Sequence, residues 1–197
     1  MSKNYAAWLL TKAGIPAITL ALMLTACNGE STTEQTNTDT IGSNAGPQEQ
    51  LLAFDQYSPK FQEILKTYDG TVRGISLGDS LAEVRQKETA EPLEDSTKYV
   101  SYNVELGNNE MTDILYYFDP KTKAVQNITL DVYLNNGLAV DSLMTEFTRY
   151  FTDKYGDPVI REKKAVAWQD TQKNKIIVQD VGIKEAPGLR IQVAKGG

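Results

Sequence analysis

Ile128-Thr129-Leu130-Asp131-Val132-Tyr133-Leu134 alternates apolar and polar side chains without a break. Successive side chains of a strand point to opposite faces, so the stretch reads as a strand with Ile128, Leu130, Val132 and Leu134 buried and Thr129, Asp131 and Tyr133 on the other side. A strand with one wet face asks for antiparallel neighbours of the same pattern. Val100, Tyr102, Val104 and Leu106 supply one upstream, and Ile114, Tyr116 and Phe118 a second, with Asp119-Pro120 to Lys123 as the turn into the decisive stretch. The same parity places Tyr99, Ser101, Asn103, Leu115 and Tyr117 on the open side.

Helices flank these strands. Ser58-Pro59 caps a helix carrying Phe61, Ile64, Leu65 and Tyr68, which Asp69-Gly70 ends. Thr71 to Leu77 reads as a strand or extended entry, and Ser80-Leu81-Ala82-Glu83 is a capping box opening a helix to about Glu88. A further helix starts at Asp141-Ser142-Leu143, buries Leu143, Phe147, Tyr150, Phe151 and Tyr155, and stops at Gly156 and Pro158. Three strands follow it, at Ala165 to Gln169, Lys175 to Ile183 and Leu189 to Ala194, with Trp168 directed inward. The expected fold is α+β: an antiparallel sheet with helices on one face, built from a duplicated helix-plus-three-strands unit at about 71–136 and 137–197.

The amino terminus reads as an address. Met1 to Lys12 holds two lysines and no acid, and Ala13 to Met23 is an apolar run of eleven residues, short of the roughly 20 a spanning helix needs. Leu24-Thr25-Ala26-Cys27 has the form of a bacterial lipobox. The expectation is a lipoprotein signal peptide over 1–26, cleavage before Cys27, and acyl chains such as palmitate on its thiol that anchor the protein to a membrane. Residues 28–50 contain Glu30, Glu34, Asp39 and Glu49 but no base and no aromatic, so 27–50 reads as a disordered tether and 51–197 as the packed domain. Asn28 is not the aspartate associated with inner-membrane retention, which favours the outer membrane, facing the periplasm or the cell surface.

Ile75-Ser76-Leu77-Gly78-Asp79-Ser80 with Glu83-Val84, then Tyr116-Tyr117-Phe118-Asp119-Pro120 and Lys154-Tyr155-Gly156-Asp157-Pro158, resemble the pattern of the β-lactamase-inhibitor-protein-like and SmpA/OmlA (BamE-like) lipoproteins. The resemblance spans about 71–194 and departs where the first helix lacks a closing Gly-x-Pro. It implies protein binding without catalysis, and no specific partner carries over.

The residues themselves exclude much chemistry. The chain has no histidine and Cys27 is its only cysteine, which removes imidazole bases, zinc-binding histidines and Cys/His pairs. Gly78-Asp79-Ser80-Leu81 spells the signature of a serine esterase, yet without an imidazole Ser80 lacks its activating base, and capping accounts for it. Calcium-loop and phosphate-loop spacings are missing, so no metal or cofactor is expected. Losing Lys3 and Lys12 with the leader takes the formal charge from −6 to −8, and the one dense basic run, Arg161, Lys163 and Lys164, is too small for nucleic acid. Carboxylates remain: Asp131, with Asp113 and Glu105 nearby, allows a glycan-active enzyme as the alternative reading, beside a purely structural lipoprotein. The main expectation is a non-catalytic envelope lipoprotein that binds a protein or peptide through Tyr99, Tyr117, Asp131 and Tyr133 on the open sheet face.

Overall fold

The computed structural model describes residues 54–196, so Cys27, the signal peptide and the tether lie outside the described residues. Among the described residues three helices, α1 (Pro59–Leu65), α2 (Leu81–Lys87) and α3 (Gly137–Tyr155), pack on one face of an eight-stranded antiparallel sheet. The strands are β1 (Glu91–Asp95), β2 (Tyr99–Gly107), β3 (Glu110–Phe118), β4 (Val125–Tyr133), β5 (Ile160–Arg161), β6 (Ala165–Gln169), β7 (Lys175–Asp180) and β8 (Gly188–Ala194). Their spatial order is β1-β2-β3-β4-β8-β7-β6-β5. Each half runs helix, short outer strand, three-strand meander, and the halves join where β4 pairs with β8.

Local chemistry sets the helix starts. Ser58 Oγ accepts from the Phe61 N–H at 3.2 Å with Pro59 in the first turn, and Ser80 and Glu83 form the reciprocal capping box. α3 begins a turn before the expected Asp141, because Asn136 is the cap: its side-chain oxygen accepts from the Ala139 N–H at 2.9 Å. Its apolar stripe of Leu143, Phe147, Tyr150 and Phe151 is buried as read, and Gly156 ends it at φ 83°. Such a φ favours glycine.

Side-chain parity in the strands builds the core. Ile114 and Tyr116 on β3, Ile128 and Leu130 on β4, and Ile191 on β8 are all 0% exposed. Trp168 of β6 is equally buried, lies 5.5 Å from the Phe151 ring, and donates through Nε1 to Thr152 Oγ1 at 3.3 Å.

Two expectations are corrected and two strands are added. Thr71 to Leu77 is not a strand: Val72 and Ile75 form an isolated bridge around Arg73 and Gly74, both at positive φ, so the chain doubles back there. β7 stops at Asp180, and Ile183 instead bridges Ala186 within the following turn. β1 and β5 were not read from the sequence, since β1 is acidic with Pro92 in it and β5 has two residues. The β2–β3 turn did carry a readable signal, Gly107-Asn108-Asn109, whose three φ angles are all positive.

Candidate functional site

Helices cover one face of the sheet, and the opposite face carries the candidate site. Strand register assembles it in rows. In one row Asn103 faces Asp113, Asp113 faces Asp131, and Asp131 faces Arg190. In the next, Ser101, Leu115, Thr129 and Gln192 line up, and beyond them Tyr99, Tyr117 and Asn127. At the other end Glu105, Met111 and Tyr133 are neighbours. The four residues singled out from the sequence, Tyr99, Tyr117, Asp131 and Tyr133, therefore share this face, though not one spot: Tyr99 and Tyr117 sit at one end, and Asp131 and Tyr133 toward the other.

The face mixes aromatic contact area with engaged polar groups. Tyr117 and Tyr133 are 38% and 48% exposed, and Met111 beside Tyr133 is 40% exposed. The Tyr99 and Tyr117 rings pack at 5.5 Å between centroids, tilted by 47°, which is cross-strand stiffening as well as surface. Arg190 holds Asp131 with two donors, Nε to Oδ1 at 2.6 Å and Nη2 to Oδ2 at 3.1 Å. Asp113 accepts from the Asn103 amide at 2.9 Å. Between the strands lies a shallow hollow of about 580 Å³ walled by Leu115, Tyr117, Asn127, Thr129, Arg190 and Gln192. A larger hollow of about 890 Å³ runs along α1 beside Phe54, bordered by charges of both signs, Glu63, Lys66 and Asp69. The face hollow has the convergent amide, guanidinium and phenol groups that fix a guest's orientation, and so it is the candidate.

Two tyrosine hydroxyls report their surroundings. Tyr133 is raised above the usual phenol value, first by burial of its ring and then by the negative charges of Asp113 and Asp131. Tyr99 is raised chiefly by hydrogen bonding to Glu94 of β1.

The polar groups that a catalytic reading would use are engaged with neighbours. Asp113 and Asp131, the pair a glycan-cleaving reading would use, do lie opposite each other, but both arms of Arg190 clamp Asp131. Ser80 is engaged with Glu83, and Asp79 Oδ2 accepts from the Ser76 N–H at 3.0 Å, so both groups of the esterase-like tetrapeptide serve the start of α2. Among the described residues no cluster of three or more acidic, histidine or cysteine side chains is placed to hold a metal.

Sequence reading did not find Arg190, Gln192 or Met111. Arg190 and Gln192 alternate visibly in β8, but nothing local says that β8 pairs with β4. Met111 occupies the parity of Asp113 and was readable once β3 was extended backward.

Compared with protein-family models, with curated proteins and with solved structures, this chain matches none of them.

Proposed function

We propose that this protein is a non-catalytic, lipid-anchored component of the bacterial envelope that holds a protein partner on its open sheet face. The observation that carries the reading is the exposure of Tyr117, Tyr133 and Met111 on a face that no helix of the described residues covers. Aromatic and methionine side chains are enriched at recognition surfaces because they offer large contact area at little entropic cost. The sheet edges argue for the face over strand addition. β1 carries Pro92, a register shift beside Leu93 and three acids, and β5 has two residues, features that discourage pairing with another strand.

The lipobox at Leu24 to Cys27 supports the anchor, and the palindromic strand order supports an internal duplication in the manner of the β-lactamase-inhibitor-protein-like and SmpA/OmlA lipoproteins, although α2 has 7 residues and α3 has 19. Mass spectrometry of the purified protein tests the anchor: the expected amino terminus is an acylated Cys27, and an unprocessed Met1 terminus excludes it. For the face, a photo-crosslinking residue is placed at 117, 133 or, as a control on α3, at 141. Discrete adducts from 117 and 133 and none from 141 are expected in cells. Identical adducts from all three positions, or none from any, remove the face as the docking site.

A further inference from the structure

Charge on the β1–β4 part of the open face is one-sided. Glu91 and Glu94 of β1 face Asn103 and Ser101, which puts them on the open side with Asp113 and Asp131, and Glu105 sits beside Met111. Among the residues of β1 to β4 with this parity there is no lysine or arginine. Of the five acids only Asp131 is ion-paired among the described residues, and its partner, Arg190, comes from β8. Asp113 and Asp131 oppose each other directly across two strands, a like-charge placement that costs stability in a sheet. Asp95, by contrast, takes the other parity, faces Val100 and pairs with Arg85 of α2. Asp95 is thus paired on the helix side, whereas four of the five acids on the open side are not.

The phenol rings are interleaved with these acids. Tyr99 and Tyr117 lie toward the Glu94 end, and Tyr133 lies beside Asp113 and Asp131. A ring face and a carboxylate within one contact distance form a seat for an alkylammonium or guanidinium: the ring attracts the cation and covers its aliphatic stem, and the carboxylate supplies charge complementarity. An anionic partner would meet uncompensated repulsion on the same surface. We propose, resting on the docking reading above, that the β1–β4 face binds a lysine- or arginine-bearing segment of its protein partner, with cations seated between Tyr99, Tyr117 and Tyr133 and the unpaired carboxylates of Glu94 and Asp113. Arg190 then marks the boundary of the cation-binding half, because it neutralises the last acid of β4.

The test uses the full chain in neutral detergent and two fluorescent peptides of about eight residues, enough to cross four strands when extended. One alternates lysine with serine and the other glutamate with serine. By anisotropy in about 0.15 M salt the lysine peptide is expected to bind about tenfold or more tighter than the glutamate peptide. Glu94→Gln with Asp113→Asn is expected to weaken it by about tenfold, and Asp141→Asn with Asp157→Asn, an equal change of net charge away from the face, by less than about twofold. Tyr117→Ala is expected to weaken it as well. Equal weakening by both charge pairs assigns the effect to net charge and overturns the proposal, as does a lysine peptide that binds no better than the glutamate one. If the lysine peptide fails while adducts from position 117 persist, the cationic partner is excluded and the docking face stands.

Discussion

Arg73 and Glu88 meet inside the protein as a two-pronged ion pair, Nε to Oε2 and Nη2 to Oε1 both at 2.8 Å, with side chains 2% and 0% exposed. Most of the remaining hydrogen-bonding capacity is used too. Arg73 Nη1 donates to the carbonyls of Glu63 and Ile64, and Glu88 accepts from the N–H groups of Thr89 and Ala90 and from the Tyr116 hydroxyl. One residue thereby ties the tight turn at 72–75 to the end of α1, the end of α2 and the centre of β3. Arg73 does this from φ 54°, a left-handed conformation that a non-glycine residue adopts at some cost.

Removing one partner of this pair strands a buried charge. Arg73→Ala is expected to destabilise the domain by about 3 to 5 kcal/mol, measured by urea unfolding. Arg73→Lys should recover little, because an ammonium cannot bridge both carboxylate oxygens in the plane that the guanidinium occupies. Arg73→Met combined with Glu88→Met should recover part of the loss. It removes both charges but leaves the Tyr116 hydroxyl and the backbone groups unpaired.

Acid should reveal the same pair. Burial by itself would raise the Glu88 carboxyl, but the Arg73 guanidinium, the Ala90 N–H and the Tyr116 hydroxyl outweigh it and hold the group down at about 2. The unfolded chain takes up this proton near the ordinary 4.5, so the pair's contribution is complete above that pH and is lost as pH falls toward 2. The span is roughly 3 kcal/mol. Urea midpoints across this window should drop in the wild type and be lower but flatter in Glu88→Gln.

Lys154 gives a slope of the same sign at the alkaline end, for a different reason. Its Nζ donates to the carbonyls of Tyr68 and Gly70 at 2.5 and 2.6 Å and lies 4.5 Å from the Tyr68 ring centre. Burial pulls the ammonium down to about 8, against a partial opposing pull from Asp69. Between about 8 and 10.5 the unfolded chain holds a proton that the folded one has released, so stability rises with pH there. Tyr57 and Tyr150, both raised by burial, reverse the trend once unfolded phenols ionise near 10. A stability maximum at about pH 9 to 10 is expected, and Lys154→Met should lack the rise that precedes it.

The seam between the two meanders depends on Gly188. A Cβ there would stand 2.6 Å from the Val132 carbonyl oxygen, an atom of the opposing strand's backbone that has no room to move away. Gly188→Ala should cost about 1 to 3 kcal/mol. Amide exchange should quicken first along the β4–β8 pairing if the seam is where the damage falls, and uniform quickening would place it elsewhere.

Six of the eight strands, the caps of α1 and α2 and the parity that divides the sheet into wet and dry faces were legible in the residues, because alternation and capping act over two to four positions. Along Ile128 to Leu134 the four aliphatic side chains are buried and Tyr133 is exposed as the letters spell, although Thr129 on the open face is itself only 8% exposed. The same locality is why β1 and β5 escaped notice: they have little strand propensity of their own and exist because β2 and β6 offer them backbone partners. What only the tertiary structure decided is which charges meet. Arg190 reaches Asp131 across 59 residues, Arg73 finds Glu88 by leaving the extended path expected of it, and Glu91 and Glu94 join Asp113 on one face. Pairings of that kind depend on register between distant strands, a cooperative property of the whole sheet that no local window contains.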